Sequence, residues 1–241
     1  MSLAPSTSTG TLAAAPTRSH LSLKGSTSLV HEFFTYCVQS ILYQRNIYPS
    51  EDFKTVKKYG LQMLVTTDDS VADYLERAMN QLQDWLERGK VTRLVVAIVE
   101  RETGETRERW QFDVEVLQKN QAPAAAAAEG KENELPTPAE GDKAAPPAAK
   151  QKTDAQIRAE IAAIIKQITA SCTFLPVLEE LCHFQILAYT DRDTEAPVEW
   201  TESDARLIAE GQAEQVKLRS FSTHVHRIDA MVAYRRGEED E

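Results

Sequence analysis

The chain is poor in the residues that build most reactive sites. Only three of its 241 residues are cysteine: Cys37, Cys172 and Cys182. They form no CxxC and no zinc spacing, and each sits in an apolar stretch. Free core thiols in a reducing compartment are therefore expected, not disulfides or a metal knuckle. No apolar run is long enough to span a bilayer, so no membrane partner is expected. The first residues lack the charged start and hydrophobic centre of a secretory signal. Their Ser, Thr and Ala without an acid before Glu32 also fit a transit peptide, but the cell interior is the reading carried forward. Basic residues are the minority, with 27 Lys and Arg against 37 Asp and Glu, a net charge of −10. That balance excludes a general nucleic-acid binder, which needs a basic surface to meet phosphates. Phosphate loops and nucleophile elbows are missing too. There is no GxSxG, and Asp84 stands where a GxxxxGK ending at Gly89 and Lys90 needs glycine.

What the chain does contain is amphipathic periodicity, clearest in residues 153 to 172 (TDAQIRAEIAAIIKQITASC). Thr153 and Gln156 stand in capping-box positions and can satisfy two backbone donors at the helix start. Ile157, Ile161, Ile164, Ile165 and Ile168 form an apolar stripe that Cys172 extends. The opposite face carries Ala155, Ala159, Ala163, Lys166 and Ala170. Its plain reading is a solvated helix surface, and its sharper reading is a docking face for another protein. A second helix runs to about Arg45, introduced by Gly25 and Ser26, with Leu29, Val30, Phe33, Phe34, Val38, Ile41 and Leu42 inward. Leu21 to Lys24 fits a short strand or a turn of helix. A third helix follows the caps offered by Thr67, Asp68, Asp69 and Ser70. Its apolar face holds Val71, Tyr74, Leu75, Met79, Leu82, Trp85 and Leu86, and Gly89 is its left-handed cap.

Strands are expected at about 59–65, 91–99, 108–117 and 181–190, with a hairpin at Thr103, Gly104 and Glu105. In 108–117, Trp110, Phe112, Val114 and Val116 alternate with Gln111, Asp113 and Glu115, which predicts one packed face and one wet face. Residues 1–20 hold too few large apolar side chains to order, and 119–152 shift to Ala, Pro, Glu and Lys. The latter reads as a disordered insertion inside a domain, which loop-closure entropy tolerates. Residues 202–211 suggest a weak helical turn. Residues 216–234 alternate like strand without selecting one register, which permits alternative pairings and mobility. An acidic tail closes the sequence at 237–241.

No catalytic constellation emerges. His224 and His226 share a strand face but have no third ligand nearby in sequence, so surface histidines are the reading preferred over a metal site. Asp191-Arg-Asp193 is a solvated turn with the letters of a DxD. No acid pairs with a base in a defensible way. The sequence describes a binding module with no cofactor and no metal.

Several blocks then carry a specific likeness. Ser40-Ile-Leu-Tyr-Gln-Arg45, Ile47-Tyr-Pro-Ser-Glu51, Lys58-Tyr-Gly-Leu61, Leu64-Val-Thr-Thr-Asp68 and Glu108-Arg-Trp-Gln-Phe-Asp113 resemble the HORMA-domain family, in its spindle-checkpoint branch of the mitotic-arrest-deficient class. Lys166-Gln-Ile-Thr-Ala170, Thr173-Phe-Leu-Pro176, Leu218-Arg-Ser-Phe221 and Met231-Val-Ala-Tyr234 continue the match in order, so the resemblance covers about 21–236 apart from the insertion.

The resemblance implies an α+β fold with three helices on a mainly antiparallel sheet, no enzymatic activity, and a mobile C-terminal safety belt over about 191–234. A partner peptide would add as a strand to the segment carrying Leu181, His183, Phe184, Gln185, Ile186, Leu187 and Tyr189. Belt residues would include Trp200, Phe221, Val225, Val232 and Tyr234. Open and closed folds of one sequence are implied, a metamorphic switch. A dimer and adaptor face would fall on Arg45, Lys166, Gln167, Phe174 and Arg219. Lys166 stands where a relative in the family has arginine, a change that keeps charge but loses the planar fork. Trp85 matches a tryptophan whose surroundings change with the belt.

Implied partners are the activator subunit of the anaphase-promoting complex, a kinetochore coiled-coil checkpoint scaffold, and the kinase-like protein of the inhibitory complex. The resemblance also implies open–closed self-dimers and a remodelling AAA+ ATPase working with a HORMA adaptor. The implied locations are nucleus, kinetochore and cytoplasm. The other HORMA readings are a translesion-polymerase adaptor and a meiotic-axis protein. Meiotic relatives carry a closure peptide in a long tail, whereas this sequence runs seven residues past Tyr234.

Overall fold

The computed structural model describes residues 23–117 and 152–236. The expected N-terminal extension, the Ala/Pro insertion except Lys152, and the acidic tail lie outside the described residues. Helix α1 (Leu23–Gln44) starts two residues before Gly25, which lies inside it. A hairpin follows, β1 (Phe53–Lys58) and β2 (Leu61–Thr66), turned through Tyr59 and Gly60, both at positive φ as a type I′ turn requires. Only the second of these strands is expected from sequence, because Phe53–Lys58 is mostly exposed lysine and threonine with little apolar alternation.

Helix α2 (Asp69–Glu87) is capped by Asp68, whose carboxylate accepts from the Val71 amide at 2.8 Å. It ends at Gly89 (φ 63), where the Lys90 amide reaches back to the Trp85 carbonyl, the expected left-handed stop. Next come β3 (Val91–Glu100), β4 (Thr106–Val116) and α3 (Asp154–Ala170). Both halves of the capping box at Thr153 and Gln156 are present. Such a cap is worth about 1 kcal/mol. The isoleucine stripe of α3 is buried, but Cys172 lies past the helix in a 3-10 turn and is exposed. Only Cys37 and Cys182 are core thiols, and burial pushes the Cys37 thiol well up.

The last three strands, β5 (Cys182–Thr190), β6 (Ala213–Ser222) and β7 (His226–Arg235), complete a five-stranded antiparallel sheet of order β5-β3-β4-β7-β6. The three helices cover one face. Phe33 and Phe34 of α1 both set their rings 5.8 Å from Phe112 of β4, and Phe33 lies 4.8 Å from Phe221 of β6. The core is thus an α+β interior of helix stripes against the even-numbered side of β4.

The opposite face of β4 is wet only in part, with Asp113 half-buried and Glu115 exposed. Arg109 and Gln111 are buried there, because residues 191–212 cross over that side of the sheet. Of the turn expected over 202–211, only the end forms: a hydrogen-bonded turn at 210–212, closed by the Gln212 amide on the Ala209 carbonyl at 3.1 Å, leads into β6. Tyr74 is 39% exposed, since it sits at the side of α2 against Phe184 and outside the core. The expected surface pair of histidines also dissolves. His226 is fully buried and His224 is half-buried in the β6–β7 turn.

Candidate functional site

Strand β5 ends the sheet, so one of its edges is bonded to β3 and the other has no strand partner among the described residues. An unpaired edge presents outward amides and carbonyls at every second residue, a template for another strand. Around this edge the chain folds a strap, residues 191–212, which joins β5 to β6 on the far side of the sheet. The strap first meets α2. Trp200 packs edge-on against Trp85 with ring centres 4.9 Å apart, and the Trp85 indole donates to the Glu195 carbonyl at 3.4 Å. It then passes to the other face, where Arg109 of β4 donates to the Ala205 carbonyl at 3.3 Å and Arg206 donates to Gln185 of β5 at 2.8 Å.

Between α2, the free edge of β5 and the strap lies a cavity of ≈ 950 Å³. Tyr74, Ala78 and Trp85 form its helix wall, Gln185 to Thr190 its strand wall, and Trp200 part of its strap wall. Strand geometry sorts the expected edge residues by face. Phe184 and Ile186 turn to the helices, where the Phe184 ring lies 5.5 Å from Tyr74 and 6.1 Å from Tyr48. His183, Gln185, Leu187 and Tyr189 turn to the strap side. Burial, and then the nearby Arg206 and Arg101 charges, lower the His183 pKa. Leu181 lies before the strand and is 76% exposed, its carbonyl accepting from the Arg101 amide. The hydroxyl of Thr194, a wall residue, is buried without a hydrogen-bond partner among the described residues.

The β6–β7 hairpin sits at the sheet's other end, with β7 paired to β4 from Glu108↔Tyr234 to Val116↔His226. Phe221, Val225, Val232 and Tyr234 are buried in that position. At the hairpin turn, Ser26 of α1 shares hydrogen bonds with Thr223 (2.6 Å) and His226 Nδ1 (2.7 Å). The apolar surroundings lower the His226 pKa to about 4.

The proposed dimer and adaptor residues divide. Lys166, Phe174 and Arg219 are exposed, and the half-buried Gln167 accepts from the Arg219 amide at 2.6 Å, so four of the five lie on or beside the α3–β6 surface. Phe174 also approaches Tyr234, with ring centres 6.3 Å apart. As a face residue, Arg45 is corrected. It is buried beneath this surface, where Nε and Nη2 both meet Glu108 Oε1 at 2.6 Å and Nη2 also donates to the Pro176 carbonyl. The α1 stripe delivers Arg45 inward at the helix end, and Glu108, on the core side of β4, awaits it. Burial raises the Glu108 pKa against the opposing pull of Arg45 and Trp110.

Sequence reasoning missed Tyr74 as a groove residue, and it missed Arg109 and Arg206 entirely. A charged residue next to Trp110 in an alternating strand signals solvent until another segment is known to cover it. Among the described residues no cluster of three or more His, Cys, Asp or Glu is placed to hold a metal ion.

Comparison with known proteins agrees with this geometry. The HORMA domain family matches residues 26–226. The mitotic spindle checkpoint component mad2 of Schizosaccharomyces pombe is 45% identical over 224 residues, covering 93% of this chain and 98% of that protein. A chain in a crystal structure of the mitotic checkpoint complex superposes with a TM-score of 0.71 at 43% identity, covering 88% of this chain and 99% of that one. Caenorhabditis elegans HTP-2 bound to a HIM-3 closure motif shares the fold at a TM-score of 0.66 and 13% identity, over 89% of this chain and 92% of its own. With its five-stranded sheet, three covering helices and strap, this chain belongs to the HORMA-domain family, in the branch of the mitotic spindle checkpoint mad2 proteins.

Proposed function

We propose that this checkpoint protein works by trapping a partner peptide as a sixth strand on the free edge of β5, beneath the strap. The observation that carries the reading is the unpaired edge facing a ≈ 950 Å³ cavity whose outer wall is the strap itself. Main-chain bonds to β5 supply affinity, and pockets for alternate side chains supply selectivity. The aromatic and aliphatic wall of Tyr74, Ala78, Trp85 and Ile186, with Phe184 packed against Tyr74, suits apolar side chains on the helix side. Conversion moves the β6–β7 hairpin between the β4 edge, where it sits in this structure, and the β5 edge, which it would block. Many strand bonds break together in that exchange, so it is slow.

The partners proposed are the activator of the anaphase-promoting complex, sequestered to delay anaphase, and the kinetochore coiled-coil scaffold. The kinase-like protein of the inhibitory complex, a second copy of the chain in the other conformer, and a remodelling AAA+ ATPase with its HORMA adaptor complete the set. Work at the kinetochore, with passage through nucleus and cytoplasm, follows. No catalytic role is assigned. Lys166, Gln167, Phe174 and Arg219 are the proposed docking face, with Arg45 supporting it from below through the Pro176 carbonyl.

Hydrogen exchange tests the reading, with and without a peptide of the pattern that the family resemblance implies for partners: a basic residue, two apolar ones and, several residues later, proline. Protection is expected to appear slowly across both Cys182–Thr190 and residues 191–212. Unchanged exchange, with no co-elution of peptide on gel filtration, would sink it and turn attention to the other HORMA adaptor readings.

A further inference from the structure

The strap has no helix and no strand, so a few side-chain contacts hold it over the sheet. On the face opposite the helices those contacts converge on two consecutive residues, Ala205 and Arg206. Arg109 is 6% exposed, and among the described residues no carboxylate lies within ion-pair reach of it. A buried charge without an acid is costly, and each hydrogen bond it makes offsets part of that cost. Here Nε donates to the Ala205 carbonyl (3.3 Å), Nη2 to the Tyr189 hydroxyl (3.0 Å) and Nη1 to Gln111 Oε1, while the Tyr189 ring lies 5.9 Å from the guanidinium. The residues paired with Arg109 on both sides are alanines, Ala97 of β3 and Ala233 of β7. Two small neighbours let a guanidinium lie low on the sheet and let the strap backbone approach it.

From the other direction, Arg206 returns to the sheet. Its backbone takes φ 52, a left-handed conformation costly for a residue with a side chain. That turn delivers its guanidinium to Gln185 of β5 (2.8 Å) and to the Gly104 carbonyl of the β3–β4 turn (3.3 Å). Arg109 reaches up to the strap and Arg206 reaches down from it, one residue apart. Both arrive on β5, at Tyr189 and Gln185, which line the peptide cavity.

We infer that Arg109 and Arg206 form a clasp that fastens the strap at residues 205 and 206 and sets how long a trapped peptide stays. This rests on the peptide-trapping reading above. The two arginines are positioning residues. They touch the strap and the walls of the cavity, while the peptide's own bonds lie along the edge of β5. A clasp of this kind acts on release, because a peptide enclosed by the strap leaves when the strap opens.

The test compares the full chain with Arg109→Gln, Arg206→Gly and, as control, Arg93→Gln. Glycine at 206 keeps the positive φ without strain. Arg93 also stacks on Tyr189, at 5.3 Å, but pairs with Asp113 and does not reach the strap. A labelled synthetic peptide of the basic–apolar–apolar…proline kind is the probe. Arg109→Gln and Arg206→Gly are expected to raise its dissociation rate tenfold or more with association changed less than threefold. Exchange of residues 195–212 should quicken in the peptide-free variants, with exchange in β3 unchanged. Arg93→Gln should match the parent, and Arg109→Lys should recover part of the loss. Equal dissociation rates and equal strap exchange in parent and clasp variants would overturn the inference. If the parent itself retains no peptide, the trapping reading fails, and strap exchange in the peptide-free proteins still decides whether the clasp exists. Should Arg109→Gln lose its fold, Tyr189→Phe removes one clasp bond alone, and a smaller rise in strap exchange is expected.

Discussion

At the scale of single residues, the strongest commitments are buried charges. Arg45 and Glu108 face each other with side chains 6% and 2% exposed, and Trp110 donates its indole N–H to the remaining carboxylate oxygen at 3.0 Å. With the Pro176 carbonyl as further acceptor, Arg45 ties the end of α1 to β4 and to the segment leaving α3. Replacing both partners with apolar residues can be nearly neutral, but removing one leaves the other charged and unpaired. Arg45→Ala is therefore expected to destabilise the fold by about 3–5 kcal/mol, read as a shift of the urea midpoint at constant slope. A loss below about 1 kcal/mol would mean that Glu108 takes up a proton at little cost. The Arg45-to-Arg109 contrast is instructive: one buried arginine has a carboxylate, and the other relies on neutral acceptors, one of them on the strap.

Among elements, the hairpin β6–β7 has one register here, but not a uniform one. The pairing shifts between Lys217 and Ser220, so Leu218 and Arg219 form an irregularity that points the Arg219 amide at Gln167 of α3. The hairpin is also pinned at its turn, where Thr223 and His226 meet Ser26 in the first turns of α1. His226 Nε2 is buried without a partner among the described residues, so a proton there would place a charge in an apolar pocket. Burial alone lowers this pKa, from 6.5 to about 4. The unfolded chain therefore binds the extra proton first. The contribution of neutral His226 is complete above pH 6.5 and is lost as pH falls through the window down to about 4, by up to roughly 3 kcal/mol. Urea unfolding between pH 7.5 and 4.5 should show this loss, and His226→Gln should flatten it. An identical acid dependence in that variant would assign the loss to other groups.

For the whole molecule, the two ends of the sheet carry different tasks. The β5 end is the proposed peptide site, and the α3–β6 surface beside the other end is the proposed docking face. Lys166, Phe174 and Arg219 are exposed there, with Phe174 near Tyr234 of β7, so the surface includes the hairpin in the position it takes here. A second copy docking on this surface would read the position of the hairpin directly. Phe174→Ala is expected to weaken self-association at least tenfold in sedimentation equilibrium. Lys166→Arg is expected to strengthen it, because the planar fork restores bidentate bonding. Self-association unaffected by Phe174→Ala would move the dimer interface elsewhere.

Helix faces, caps and most strands were legible in the chain itself, because each depends on residues two to five positions apart. The isoleucine stripe of α3, the Thr153–Gln156 box, the Gly89 cap and the alternation around Trp110 are local signals, and the structure keeps them all. The likeness of the long motif blocks added the family and the expected edge strand. Tertiary structure decided everything that depends on which distant segment covers which surface. It placed the strap over Arg109, drying the part of an expected wet face that holds Arg109 and Gln111, and drew His226 into the interior beside Ser26, 200 residues away. It also buried Arg45 and put the hairpin at the β4 edge, not at β5. The physical reason is that a strand's own alternation specifies two faces but not its neighbours. Edge bonds to β4 or to β5 use the same backbone groups, and only long-range packing chooses between them.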